Sequence, residues 1–462
     1  MSVVPSGPLA PTPATAVAMR NMAWLLGDKV VALVIGLTVF GLIARHLGPE
    51  GSGHFAYAAA LLQTGLGLSM VCAGVALLPR FCRIQGALPG AVANVFVLRL
   101  AASALAMLVM MIFCVVAVDE PQRRTVSLIL LLAVVLIEPS YIVATYWLSR
   151  NNNRPTTIAR SSGLLARAAI VVLALSLGLP VWMVAAAWVV EAIINATLQG
   201  WQFRKAMPGR RLLRFVRVER MRRYLAFGVR FILALWLAQL FLRIDRLVLA
   251  EMLEPREFGI YAAPMQLVEV WGQVAYLIGS SIATAYLYRR MRDARVGRAF
   301  VVMAASMAAI GLLGLLGAWL LGPLLLRVVF GAEFSGSYPY LVAGSAFAVL
   351  LFADQAVDML ITAQNQPLLL ALKWVAALST ALLVFWQGFE SFGAFVGPLG
   401  LAVGVVAGWL TLLLLLALRR GRGGMLPPTG LRPALAGRTL GGAVAGAPGL
   451  DGGQGRPGHG HE

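Results

Sequence analysis

Carboxylates stand at the middle of long apolar runs in this chain, at Glu138, Glu191 and Glu269. At 1.5 Å per helical residue, each sits roughly 15 to 20 Å from the ends of its run. A charge at that depth is costly in hydrocarbon, so it faces a protein interior or a water-filled cavity, where it can bind a proton or cation. Each acid heads a stripe. Gln266, Glu269, Gln273, Tyr276 and Ser280 advance by 3, 4, 3 and 4 residues, which is one face of a helix. Glu191, Asn195, Gln199 and Gln202 do the same, and so do Glu138, Tyr141 and Thr145, beside a Pro139 expected to bend its helix. Asp354, Asp358 and Thr362 form a fourth stripe.

Cations accompany the acids. Lys29 and Arg99 lie some way into their runs, Arg160 and Arg167 are seven apart on one face, and Gln239, Arg243 and Arg246 share another. A guanidinium presents a planar fork that matches phosphate oxygens in pairs, which an ammonium cannot. Arg99, Arg167 and Lys29 are therefore the candidates for an anionic substrate. Glu269, Glu191, Glu138, Asp28, Gln273, Asn195, Asp354 and Asp358 are the candidates for ion coupling or cavity lining. The plainer account of any one stripe is hydrogen bonding between helices, or neutralisation of a neighbouring charge. Stripes of both signs in both halves favour an aqueous cavity. Arg243, Asp245 and Arg246 lie near a helix end, where an ion pair and snorkelling suffice.

Catalytic signals are missing. The histidines are His46, His54, His459 and His461 and form no buried group; there is no P-loop, and no outer loop is long enough for a catalytic domain. Cys72, Cys82 and Cys114 lack metal-ligand spacing. The sequence calls for no cofactor and no metal, and the expectation is a protein that is not an enzyme.

The elements that must carry these residues follow from composition. Of 462 residues, 60% are hydrophobic and 12% charged, about half the charge a soluble domain needs to cover itself. The chain is an integral membrane protein. Its net charge of +19 would suit nucleic acid, but the arginines form short clusters between apolar runs, so that partner is excluded. The runs predict an all-α fold with about twelve membrane-spanning helices: 20–45, 53–78, 90–118, 125–150, 158–178, 181–203, 224–250, 258–286, 299–321, 338–362, 368–387 and 393–418.

Two short turns repeat. In LGPEGSGHFAYAAA (Leu47–Ala60) and LEPREFGIYAAP (Leu253–Pro264), a shift of 206 superposes Pro49 on Pro255, Gly53 on Gly259, Phe55 on Tyr261 and Ala56 on Ala262. In LSRNNNRP and LITAQNQP, a shift of 212 superposes Leu148 on Leu360, Asn153 on Asn365 and Pro155 on Pro367. Nearly equal spacing argues for a duplicated six-helix unit. The expected organisation is a disordered cytoplasmic N-tail at 1–19, an N-lobe at 20–203, a basic cytoplasmic linker at 204–223, a C-lobe at 224–418 and a disordered cytoplasmic C-tail at 419–462. Lys and Arg number nineteen in one set of alternate loops and five in the other, which puts both termini in the cytoplasm.

The first turn, with ARHLGPEGSGHFAYA, resembles the oligosaccharide flippases of polysaccharide biosynthesis (Wzx-type) in the multidrug/oligosaccharidyl-lipid/polysaccharide exporter superfamily. DRLVLAEMLEPREFGIYA at Asp245–Ala262 and LLRVVFGAEFSGSYPYL are similar to the corresponding family segments, and the resemblance covers about 20–420. It implies two six-helix lobes around a central cavity that opens alternately to either side. The implied cargo is a polyprenyl-pyrophosphate-linked glycan in the bacterial inner membrane, with membrane lipid, a polysaccharide polymerase and export proteins as partners. Two alternatives stay open: an ion-coupled exporter of drugs or other lipids on the same fold, and a membrane glycosyltransferase or polymerase.

Overall fold

In the computed structural model the described residues are 13–72, 74–84, 88–207, 212–282, 296–364 and 366–421. Both tails beyond 13–421, the linker arginines Arg210 and Arg211, the cluster Arg289, Arg290, Arg292 and Arg295, and Asn365 of the second echo lie outside them, as do the side chains of Tyr276, Ser280 and Arg230. The described residues from 13 to 415 form one compact unit. Of the other unit, Leu416–Glu462, the described part is the end of the last helix.

The elements are α-helices, with three short 3-10 turns and no strand among the described residues. They run α1 (Pro13–Leu68), α2 (Gly74–Arg83), α3 (Leu88–Ala117), α4 (Pro121–Leu132), α5 (Val134–Ser149), α6 (Arg154–Ser176) and α7 (Val181–Ala206). The second half continues α8 (Val218–Phe241), α9 (Ile244–Met252), α10 (Pro255–Ile282), α11 (Val296–Val329), α12 (Tyr338–Ala363), α13 (Pro367–Phe392) and α14 (Val396–Gly421). Eight helical stretches among the described residues are long and apolar enough to cross a membrane, or nine if α8, bent by 59°, is counted as one span. Two of them, Ala23–Leu68 with 46 residues and Pro367–Leu418 with 52, are each long enough for two crossings of a core about 30 Å thick. The chain is a multi-pass membrane protein; a count of twelve does not follow from these spans, and α10 is outside the eight.

Proline explains where several expected boundaries shift. The expected starts at Gly53 and Phe258 move forward because Pro49 and Pro255 serve as first helical residues, where a missing N–H costs nothing. Gly48, at φ 68°, makes the break before Pro49 inside α1. Likewise Pro155 and Pro367 open α6 and α13. The expected helix 53–78 instead ends at Leu68; Cys72 takes a positive φ of 58° and α2 follows. The expected 125–150 is broken at Ala133, in the turns that precede the buried ring of Pro139.

The two copies of the glycine turn meet. A Cβ added at Gly53 would lie 3.3 Å from the Gly259 Cα, and one at Gly259 would overlap the Pro49 carbonyl. Positions equated by the 206-residue shift thus touch each other across α1 and α10. Only glycine lets two backbones approach so closely.

Candidate functional site

Two glycine turns brace one end of this junction, and charged side chains add to it. Arg123 on α4 donates to the Ala250 carbonyl at 2.6 Å and pairs with Glu251 at 3.2 Å, while its guanidinium lies 5.1 Å from the Tyr57 ring centroid. His54 approaches Glu120 at 2.9 Å. Arg45 donates to the Val329 carbonyl at 3.1 Å, capping the end of α11, where the helix dipole is negative. Toward the opposite ends of these helices, a Cβ at Gly67 would lie 2.9 Å from the Gln239 Cβ, and the Cys72 thiol donates to the Tyr224 carbonyl at 2.9 Å.

A cavity of about 280 Å³ is lined by Gln63, Arg99, Glu138, Tyr141 and Thr145 with Leu66, Gly67 and Met70 of the first half, and is bounded by Gln239 of the second. Its wall is built by an ion pair. Arg99 and Glu138 are paired, with side chains 3% and 2% exposed, and Arg99 also donates to the carbonyls of Val71 at 2.7 Å and Cys72 at 2.9 Å. Those carbonyls belong to the break after α1, so Arg99 satisfies backbone that no helix satisfies. Each of its three nitrogens is engaged. The glutamine opposite, Gln239, accepts from Arg243 at 2.9 Å; Arg243 lies 3.7 Å from Glu269, and Arg246 holds Glu269 at 2.6 Å. Tyr261 donates to Asp245 at 2.6 Å, and Asp245 lies 3.8 Å from Arg246. One polar series therefore runs from α3 through the cavity to α10.

Some of the remaining candidates gather around Tyr141. Arg160 pairs with Asp28 at 3.0 Å, and Arg167 with Glu191 at 2.7 Å, its guanidinium 4.9 Å from the Trp188 ring centroid. Asp28, Glu138, Arg160 and Glu191 all act electrostatically on Tyr141, so α1, α5, α6 and α7 converge there. Asn195 accepts from Gln199 at 2.8 Å. Lys29 is exposed and makes no ion pair among the described residues; Gln273 is exposed on α10. Asp354 and Asp358 sit apart, on α12, where both hold Lys373 of α13 and Asp354 accepts from Trp409 at 2.7 Å. Among the described residues no group of His, Cys, Asp and Glu could hold a metal.

Sequence reasoning did not single out Gln63, Lys373 or Trp409 as site residues. A signal was present in two cases: Gln63 and Lys373 each interrupt an apolar run. It also left Arg246 with its sequence neighbour Asp245, whereas the shorter pairing is to Glu269, 23 positions away.

Residues 18–285 match the family model described as polysaccharide biosynthesis protein. No curated protein matches the sequence significantly. Among solved structures, the lipid II flippase MurJ in its inward closed conformation is similar, with TM-score 0.63 and 12% identity over 86% of this chain and 87% of that one. An inward-facing multidrug resistance MATE family transporter of the MOP superfamily gives 0.62 and 15%, covering 88% and 100%. A MOP superfamily transporter from Pyrococcus furiosus gives 0.55 and 14%, covering 88% and 96%. At such identities the likeness is one of fold.

Proposed function

The chain belongs to the polysaccharide biosynthesis protein family, and from that premise we propose that it is a flippase for polyprenyl-pyrophosphate-linked oligosaccharide. Its work is alternating access, with the halves 20–203 and 224–418 as the moving lobes and 204–223 as their cytoplasmic linker. The observation that carries this reading is the polar cavity walled by Arg99–Glu138 and bounded by Gln239 of the second half. Ionisable side chains lining a space inside a membrane protein mark a pathway for polar cargo, and Arg99 and Glu138 line this one. No chemistry on the cargo is required, so the protein works as a carrier and not an enzyme.

The cations divide the labour according to how they are held. Lys29, exposed and without an ion pair among the described residues, meets the pyrophosphate first. Arg167 can exchange Glu191 for phosphate oxygens, since its Nε is buried with no hydrogen-bond partner. Arg99 shapes the wall and would have to leave Glu138 and two carbonyls to bind cargo. Glu138 lines the cavity, while Glu191, Asp28, Asn195, Gln273 and Glu269 are assigned to the polar surroundings through which cargo or a coupling ion would pass.

The test is genetic and chemical. Deletion is expected to accumulate the lipid-linked oligosaccharide in the cytoplasmic leaflet of the inner membrane, and the wild-type gene is expected to clear it. Accumulation of unlinked precursors, or of a lipid-linked glycan already in the outer leaflet, would point to a glycosyltransferase or polymerase. Loss of drug efflux alone would point to the exporter. Orientation is checked by single cysteines: a residue of 204–223 labelled from outside by an impermeant reagent would reverse it.

A further inference from the structure

Among the described residues, the ion pairs within the helices match base to acid cluster by cluster with one exception, while Lys29 is an exposed base outside any pair. Arg99 matches Glu138, Arg160 matches Asp28, Arg167 matches Glu191, and Arg243 with Arg246 matches Asp245 with Glu269. On α12 and α13 a single base, Lys373, serves two acids, Asp354 and Asp358. Lys373 and Asp354 are each 2% exposed, while Asp358 is 27% exposed. Arg123 also serves two acids, Glu120 and Glu251, but at helix ends where Glu251 is 42% exposed and water can compensate.

The geometry around Lys373 is that of a filled cation site. Its ammonium lies 2.7 and 2.6 Å from the two oxygens of Asp354, in contact with Asp358, and 4.0 Å from the Trp374 ring centroid. Trp409 of α14 fixes Asp354 by donating at 2.7 Å. Carboxylate oxygens on one side and an aromatic face on another are the ligands a monovalent cation would use, and here the cation is tethered to α13. Lys373 and Asp354 are the charged groups acting on Asp358 among the described residues, so with all three ionised the cluster carries one uncompensated negative charge. Such a charge at low dielectric is relieved by binding one positive ion.

We propose that the Asp354–Asp358–Lys373 cluster is an exchangeable proton site, loaded at Asp358, from which sodium is excluded by the Lys373 ammonium. Three features agree with this assignment. Asp358 is the member open enough to exchange with solvent, the ammonium already takes the position between the carboxylates, and three different helices are tied through the cluster. Proton gain at Asp358 would weaken its hold on Lys373 and leave the lysine to Asp354, which changes how α12 is fastened to α13. The cluster shares no residue with those proposed to meet cargo and its test needs no transport, so this site stands or falls independently of the flippase reading.

The test uses the purified full-length protein and needs no transport assay. Infrared difference spectra between mildly alkaline and mildly acidic pH are expected to show a protonated-carboxyl carbonyl band that is lost in Asp358→Asn and kept in Glu191→Gln. Thermal melting of the wild type is expected to be the same in sodium and choline chloride, whereas Lys373→Met is expected to be raised by several degrees in sodium. A band that survives Asp358→Asn, or no pH-dependent band in the wild type, overturns the proton site. Sodium stabilisation of the wild type overturns the exclusion. Should Lys373→Met fail to fold, the wild-type melting and the infrared pair still decide both points.

Discussion

The two halves share a frame and differ in their interior. In the frame, Pro49 and Gly53 of one half have counterparts in Pro255 and Gly259 of the other, and the glycines lie against each other. In the interior, the acids of the first half are each held by one arginine, and these pairs converge on Tyr141 next to the cavity. The second half places a closed four-charge network beside the cavity and a lysine between two aspartates farther along the chain. The close contact of Gly53 with Gly259 constrains the two echoed turns, because both fill the same space. It leaves each interior free to take up a different charge balance. On the readings proposed above, the first half meets an anionic cargo and the second holds a proton.

The comparison can be broken most sharply at the junction. Gly259→Val adds a side chain where even a Cβ overlaps Pro49, so misfolding or loss of expression is expected, measured as monodisperse yield after solubilisation. Gly53→Ala, whose Cβ meets neighbours at 3.1 to 3.3 Å, is expected to be milder. If both are equally tolerated, the junction is not the shared frame.

Next in size are the one-to-one pairs. Glu138→Gln strands a buried guanidinium and is expected to cost about 3 to 5 kcal/mol, whereas Arg99→Gln with Glu138→Gln recovers much of it. Thermal melting of the three variants measures this. A double variant as unstable as the single would mean that the Val71 and Cys72 carbonyls, not Glu138, are what Arg99 serves. Arg123→Ala removes the donor to Ala250 and the pair to Glu251, and is expected to loosen the junction so that a cysteine at Ala250 becomes more reactive to a soluble maleimide. A smaller effect is expected at Arg160→Gln, because its side chain is 31% exposed, although the substitution leaves Asp28, 8% exposed, without its partner.

Much of this was legible in the sequence, for identifiable reasons. Helix positions follow from apolar runs, and the turns from Pro and Gly, because those signals are local. Which residues share a face in α5 and α7 was also legible, since a 3.6-residue period fixes a face whatever the neighbour. Partner choice was not legible. Arg246 could pair with Asp245 beside it or with Glu269 a helix away, and only packing of α9 against α10 decides. The same holds for Lys373, whose partners lie 15 and 19 positions back. The break at Leu68 was hidden too, because the carbonyls it exposes are satisfied by an arginine from another helix.

The central claim, that cargo crosses through the space between the halves, is tested most directly by locking that space. In a background with Cys72, Cys82 and Cys114 replaced, Gly67→Cys with Gln239→Cys places two Cβ atoms 2.9 Å apart in the present packing, so a movement of under about 1 Å gives disulfide spacing. Clearance of the lipid-linked oligosaccharide from the cytoplasmic leaflet is then followed in oxidised and reduced membranes. The account predicts arrest on oxidation and recovery on reduction, with the rate of each single-cysteine variant the same in oxidised and reduced membranes. Undiminished clearance by fully cross-linked protein would contradict it.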